Sequence, residues 1–410
     1  MRVFTSLLTP AEAQARYHAA LPLRPLETES VGLDEALDRV LAGDLVAEDD
    51  LPPFDRSTVD GYAVRAADVS AAAAASPVRL SVTAEVRMGE DRALDLPGGG
   101  AVRIPTGGVL PGGADAVAMQ EHVGRSGAEA LISRPLHAGE NVLTRGEDVR
   151  RGAVVLRAGR RLRPADLGIL AGLGRVRVEV RRRPRVAVLS SGDELVPPDV
   201  TPAPGQLRDM NAAALAGLVR RAGGDPVLFP ILPDDLPAVT EALRGAVARA
   251  DLVTISGGSS VGERDVVVDA IAALGPPGIV VHGIAIRPGK PTLLGAAGAR
   301  PVIALPGNPV SAMVIFEAFV RPLIAMLLGE PQPQRPAVRA RAGRALAAPA
   351  EREDHLRVSL ERRGEELWAH PLPAKSGLLT SLVHADGIVV VAAGRRVAEG
   401  ETVSVELLDG

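Results

Sequence analysis

The hydrophobic pattern divides the chain into stretches of different period. Between residues 185 and 329, short apolar runs alternate with longer amphipathic segments. The runs at 186–189, 227–231, 252–255, 279–286 and 302–305 predict buried strands. Segments 211–222, 236–250 and 266–274 predict helices, and a last helix runs from the end of the 302–305 strand to about residue 328. Strands that alternate with helices imply a mostly parallel sheet covered on both faces.

Elsewhere the period shortens. From residue 52 to about 145, short β-type runs (78–86, 101–104, 116–122, 130–133) are separated by Gly and Pro turns, which predicts an all-β module. Residues 337–410 repeat that pattern, predicting a small β-barrel or sandwich. At the start, Thr9-Pro10-Ala11-Glu12 reads as an N-cap, a first-turn proline and an acidic first turn, opening a helix to about Ala20. Helices are also expected at 32–41 and 163–172, and a half-exposed strand at 175–180. The arginine run 181–183 reads as a solvated hinge, the alanine tract 71–75 as a loop or frayed helix end, and the proline-rich segment 331–336 as a linker. These breaks divide the chain into 1–26, 27–48 with 146–180, 49–145, 181–329 and 330–410.

Composition narrows the function. At 410 residues the chain is long enough for several domains. A formal charge of −4 lacks the basic excess of a nucleic-acid binder, and 2% aromatic residues leave few platforms for stacking bases. Without cysteine there are no disulfides, iron–sulfur ligands or thiol nucleophiles. No signal-peptide pattern and no run of apolar residues long enough to span a bilayer is read, so no membrane partner is expected. Of the 46 basic residues only Lys290 and Lys375 are lysine. Lysine is a compact point charge where arginine is a planar fork, so a lysine kept inside Arg287-Pro288-Gly289-Lys290-Pro291 points to an ammonium aimed at an oxyanion.

The polar loops follow the predicted strands. Ser190-Ser191-Gly192-Asp193-Glu194, Asp234-Asp235, Ser256-Gly257-Gly258-Ser259-Ser260 running to Asp265, Arg287 with Lys290, and Pro306-Gly307-Asn308-Pro309-Val310-Ser311 each succeed one of them. In an open parallel sheet, ligands bind outside the carboxyl ends of the strands. Taken singly, each loop reads equally well as a tight turn, and Asp265 as a helix cap. Together they describe one crevice. Backbone N–H groups of 256–260 at a helix start suit phosphate oxygens. Glu194, Asp234 and Asp265 would repel a phosphate unless a cation lay between, which suggests Mg²⁺. There is no Walker pattern and no zinc-type motif. In the β module, Ser57 to Ala63 with its Asp-Gly pair, Arg103 to Val117, and Arg145-Gly146-Glu147-Asp148 read as turns.

These segments, in this order, resemble the molybdopterin molybdenumtransferase (MoeA-type) family across essentially the whole chain. The resemblance implies a three-layer molybdopterin-binding α/β domain, an inserted β module and a C-terminal β-barrel. It implies an elongated homodimer whose active cleft is shared between chains, in the cytoplasm. Its substrates would be molybdate and adenylylated molybdopterin, with a divalent cation, and its products AMP and the molybdenum cofactor. Molybdopterin adenylyltransferase and apo-molybdoenzymes are the implied protein partners. By motif, Asp60, Thr106, Glu194, Asp234, Asp265 and Lys290 take catalytic positions, and Glu194, Asp234 and Asp265 the metal. Arg145, Asp148, Ser256, Gly257, Gly258, Ser259, Ser260, Arg287, Pro306, Pro309, Ser311 and Ser376 take substrate-binding positions. The chain departs from the family at Arg287, where lysine is usual, at Ala374-Lys375, where Gln-Gly is common, and at Asp386-Gly387, where Asn-Gly is usual. A tungsten-inserting homologue, a dinucleotide pyrophosphatase and a scaffold on the same fold stand as alternatives.

Overall fold

The computed structural model describes residues 7–89, 94–257, 266–331, 335–373 and 375–408. Its central sheet has six strands in the order Asp225–Leu228, Arg185–Ser190, Leu252–Ser256, Arg300–Leu305, Leu293–Ala297, Pro277–His282. The first four run parallel, and Leu293–Ala297 lies antiparallel to both of its neighbours. Helices Asn211–Arg221 and Pro309–Leu328 bury one face of the sheet, and Leu236–Arg249 with Val266–Ala272 the other. Their apolar stripes and the near-continuous apolar strands form two cores, one on each face of the sheet.

The helix Pro309–Leu328 is long and apolar enough to cross a membrane by length and composition, where no such run was expected. In the fold it is a core helix, with Phe316, Phe319, Leu323 and Ile324 essentially inaccessible. A π turn at Phe316–Val320 precedes Pro322, whose missing N–H removes one α-helical hydrogen bond.

The β module holds a six-stranded sheet in the order Ala116–Met119, Gly61–Val64, Gly100–Ile104, Val78–Glu85, Glu129–Ile132, Val123–Ser126. The C-terminal strands Glu353–Arg363, Glu366–Pro371, Ala337–Ala342, Thr402–Leu407 and Gly387–Val391 close into a five-stranded barrel. Strand Thr28–Gly32 pairs with Arg177–Arg181, joining the two chain segments that flank the β module. Helix Pro10–Ala20 carries the expected N-cap, which Glu12 completes as a capping box, and packs on the α/β domain, where the Tyr17 hydroxyl donates to the Gly295 carbonyl at 2.6 Å.

Several expectations are corrected. The helix expected at 32–41 is only the short 3-10 turn Leu33–Glu35. Asp38 sits at φ 60, and the next backbone donors are claimed across the chain, Asp38 N by Leu162 O and Leu41 N by Arg160 O. Tertiary pairing thus outcompetes the i−4 ladder. The strand expected at 279–286 ends at His282, and Ile286–Arg287 pairs instead with Glu353–Asp354 of the barrel. Leu293–Ala297 was not foreseen as a strand. The Asp60-Gly61 pair is not a hairpin turn but the entry to an interior strand, where a Cβ on Gly61 would lie 2.0 Å from Ala118 O. The arginines at 181–183 are not a solvated hinge. Arg181 donates to Leu26 O and Ala42 O, and Arg182 to Asp251 and Glu27. The tract 71–75 is a loop. Of the proline-rich segment, 332–334 lie outside the described residues.

Candidate functional site

The sheet register sets the crevice. Ser190, Ser256 and Leu305 are paired at the carboxyl ends of three adjacent parallel strands. Leu293 pairs with both Ala304 and His282, so the 283–292 loop carrying Lys290 leaves the same edge. Leu228 ends the fourth parallel strand and leads into Asp234. The structure therefore brings the loops of Glu194, Asp234, Ser256, Lys290 and Pro306 to one rim.

Contacts between backbones fix these loops to each other. Ser191 N donates to Ser256 O at 2.9 Å and Gly192 N to Leu232 O at 3.1 Å. Gly257 has φ +103, and a Cβ there would stand 1.9 Å from Ser191 O, so only glycine fits. The Ser191 hydroxyl donates to Asp234 Oδ1 at 2.7 Å, and Asp193 Oδ1 accepts from Asp234 N at 3.1 Å. Glu194 and Asp234 are exposed, whereas Ser256 and Ser311 are buried. Asn211 Nδ2 donates to Gly307 O at 2.9 Å, tying the 306–311 loop to the neighbouring helix. Pro306 and Pro309 are buried, with Pro309 in the first turn of the core helix. Gly258, Ser259, Ser260 and Asp265 lie outside the described residues.

Lys290 is half-buried in a loop braced on both sides. Its carbonyl accepts from Ile284 N at 3.0 Å, and Thr292 Oγ1 donates to Gly289 O at 2.6 Å. Gly289, at φ +128, abuts Ile315, where a Cβ would come within 2.5 Å. Arg287 is differently engaged. Its guanidinium forms an ion pair with Asp354, a barrel carboxylate with 3% side-chain exposure, which makes it a bridge between the two domains.

One buried residue escaped the sequence reading. Arg357 is 2% exposed and spans both ends of the barrel loop that carries Ser376. It donates to Pro373 O at 2.7 Å and to Ser381 Oγ at 3.3 Å. Burial pushes its pKa below the usual arginine value against the opposing charge of Asp354. Ser376 O accepts from Val310 N at 3.2 Å, so this loop docks on the start of the core helix. An arginine within a strand carries no motif that would have revealed this.

The β module forms a second cluster. Asp60 Oδ1 accepts from Thr106 N at 2.7 Å and from Thr106 Oγ1 at 2.9 Å. Those two hydrogen bonds hold the exposed Asp60 carboxyl below its ordinary pKa. Arg145 Nε donates to Asp50 Oδ2 at 2.7 Å and its backbone N to Asp55 Oδ1 at 2.7 Å. Asp148 is exposed, with its N–H on Leu51 O. Asp60 and Thr106 bond to each other and Arg145 bonds to Asp50 and Asp55, so these side-chain contacts stay within the β module. Among the described residues, no three His, Asp or Glu side chains are grouped to hold a metal ion by themselves.

Comparison with known proteins finds three family models along the chain. Residues 8–174 match the model of the MoeA N-terminal region (domain I and II), residues 187–326 a probable molybdopterin binding domain, and residues 339–408 the MoeA C-terminal region (domain IV). Molybdopterin molybdenumtransferase 2 of Mycobacterium tuberculosis is 37% identical, covering 91% of this chain and 94% of that protein. Molybdopterin molybdenumtransferase of Bacillus subtilis is 33% identical, covering 93% and 90%. A solved structure of the molybdopterin biosynthesis MoeA protein from Pyrococcus horikoshii superposes with a TM-score of 0.84 at 32% identity, over 98% of this chain and all of that one. With similarity along nearly its whole length in both sequence and fold, the chain belongs to the MoeA family of molybdopterin molybdenumtransferases.

Proposed function

We propose that this chain is a transferase of molybdenum-cofactor biosynthesis that inserts molybdenum from molybdate into adenylylated molybdopterin, releasing AMP. The observation that supports this most directly is the convergence of five polar loops on the carboxyl rim of the molybdopterin-binding-type domain. Ser256 and Gly257 lie where a pterin-side phosphate would meet backbone N–H groups. Lys290, in a loop braced by Gly289 and Thr292, supplies a positive charge for the oxyanion. Pro306, Pro309 and Ser311 shape the opposite wall, and Ser376 reaches it from the barrel.

The donor set fits Mg²⁺, which uses few protein carboxylates and takes its other oxygens from water and phosphate. Glu194 and Asp234 would hold it together with Asp265, and when bound it supplies charge neutralisation at the phosphoanhydride. Ser191 fixes the Asp234 carboxylate at 2.7 Å, so that carboxylate is oriented before any ligand arrives. Asp60 and Thr106 stand as a second polar wall, delivered by a partner chain in a homodimer with a shared cleft. The cofactor would then pass to an apo-molybdoenzyme.

The test is AMP release from adenylylated molybdopterin with Mg²⁺, titrating molybdate against tungstate. Molybdate-dependent release with activation of an apo-molybdoenzyme supports the reading. A tungstate preference changes the metal and keeps the site. AMP release from dinucleotides that lack molybdopterin, or no release at all, refutes it. Mixing Asp60→Asn and Asp234→Asn chains tests the shared cleft, because heterodimers would regain one intact site.

A further inference from the structure

Lys290 stands on a loop that three parts of the chain hold. Ala285 N donates to Leu8 O at 2.8 Å, so the N-terminal segment secures one side. On the other side Ile286 and Arg287 pair in parallel with Glu353 and Asp354, the first residues of a barrel strand. Glu353 N donates to Ala285 O at 3.1 Å. The loop then closes on itself, with Gly283 N on Thr292 O at 2.9 Å and Ile284 N on Lys290 O at 3.0 Å. Lys290 therefore takes its place from the barrel as well as from the central sheet.

Asp354 makes this joint more than a backbone pairing. It is 2% exposed, the least exposed carboxylate among the described residues. An ionised carboxylate is buried at tolerable cost only when it is paired. Its Oδ2 accepts from Arg287 Nη2, whose side chain keeps 42% exposure. That hydrogen bond holds the Arg287 guanidinium above its usual pKa, and Glu351 adds a smaller pull. Glu351 itself pairs with Arg352 at 3.3 Å. Arg357 also feels the Asp354 charge but spends its donors on Pro373 O, Ser381 Oγ and His355 O. Only Pro288 and Gly289 separate Arg287 from Lys290. The proline ring fixes one dihedral angle, and Gly289 is wedged against Ile315, so the short link has little slack to absorb a shift of Arg287.

We propose that Asp354 is a positioning residue for Lys290: by holding Arg287 against the barrel, it fixes where the Lys290 ammonium meets the oxyanion substrate. Arg287 is then a strut and not an oxyanion ligand. The substrate in this inference rests on the molybdenum-transfer reading, and its mechanics rest on the loop geometry.

The experiment compares the full chain with Asp354→Asn, Arg287→Gln and the double variant. AMP release is measured with molybdate and adenylylated molybdopterin titrated separately, and amide exchange over 284–292 is followed alongside. Asp354→Asn should raise the KM for molybdate by about tenfold or more, the scale of a small misplacement of a binding group. Its kcat and its KM for the pterin substrate should change by less than about threefold, because a binding contact is what is lost. Exchange over 284–292 should rise while Leu252–Ser256 stays protected. Arg287→Gln should match Asp354→Asn, and the double variant should be no worse than either, since both cut one link. Circular dichroism confirms folding. If Asp354→Asn does not fold, Arg287→Gln, cut at the exposed end, carries the test through exchange and KM together. Tighter molybdate binding in Asp354→Asn would make the freed Arg287 an oxyanion ligand and overturn the proposal. A lower melting temperature with unchanged KM and exchange, or additive losses in the double variant, also overturns it. A wild type without molybdate-dependent AMP release refutes the transfer reading instead. Exchange then decides the strut by itself: faster exchange over 284–292 in Asp354→Asn supports it, and unchanged exchange overturns it.

Discussion

Replacing Gly257 by alanine should unfasten the crevice at its base. The added Cβ would lie 1.9 Å from Ser191 O and 3.0 Å from Ser191 C, both backbone atoms that cannot rotate away. Relief needs a main-chain shift on the order of 1 Å, comparable to the overpacking that typically destabilises by about 1–3 kcal/mol. The residue also sits at φ +103, a region that strains an L-residue by roughly 1–3 kcal/mol. The two effects share one relaxation, so the expected loss is about 2–5 kcal/mol. Urea unfolding followed by far-UV circular dichroism reads it directly. With a slope of about 2 kcal/mol/M, the midpoint should fall by about 1–2.5 M. The shift also pulls Ser191 from Ser256 O and Asp234, so binding at the rim should weaken even where the variant is folded. Gly168→Ala is the internal control. It lies in helix Pro164–Gly172 with open space at its Cβ, and alanine there should stabilise by up to about 1 kcal/mol. A midpoint change below about 0.5 M in Gly257→Ala, or a change as small as the control's, would refute the argument from close approach.

Asp251, with 6% side-chain exposure, accepts from Arg182, Arg300 and Arg185 N. Asp251→Ala should destabilise by about 1–3 kcal/mol in thermal and urea unfolding, because it removes the charged acceptor of Arg182, Arg300 and the Arg185 N–H. Burial pushes the Asp251 carboxyl up, but the Arg182 hydrogen bonds, the Arg185 N–H and the two arginine charges outweigh it and hold its pKa below the ordinary value. A depressed folded pKa contributes stability that is present above the unfolded value near 3.9 and lost as pH falls through the folded one. The melting temperature of Asp251→Asn should therefore fall less steeply than wild type below about pH 4. Tyr17→Phe removes the hydrogen bond from its buried hydroxyl to Gly295 O and should lower stability by about 1–2 kcal/mol in the same urea assay, with no change in the far-UV spectrum. Arg357→Lys cannot reach Pro373 O and Ser381 Oγ together, so amide exchange across 375–381 should rise while the barrel strands stay protected. Unchanged exchange there would remove Arg357 as the clamp of that loop.

Much of the architecture was legible in the chain because the α/β signal is local. Val186 to Leu189 and Leu252 to Ile255 are buried on both faces, so their apolar runs need no partner to be recognised. The Thr9 N-cap closes within four residues and was read directly. The polar segments that follow those strands were also legible, since glycine, proline and small polar residues punctuate them. Expectations failed where the deciding contact is distant in sequence. Residues 36–41 carry a helical pattern, yet the Asp38 N–H goes to Leu162 O and the Leu41 N–H to Arg160 O. Ile286 ends an apolar run, yet with Arg287 it pairs with a strand more than sixty residues later.

By itself, then, the sequence determined most of the strands and helices in the α/β domain, which residues can carry charge to a ligand, and the family the motifs resemble. Tertiary structure alone decided that Ser191, Gly257 and Asp234 lock together at one rim. It also decided that Arg287 answers Asp354 rather than facing only its own loop. The physical reason is the range of the interactions. Periodicity, capping and turn chemistry act within a few residues. A hydrogen bond or an ion pair between distant segments exists only once burial of the cores has fixed where those segments meet.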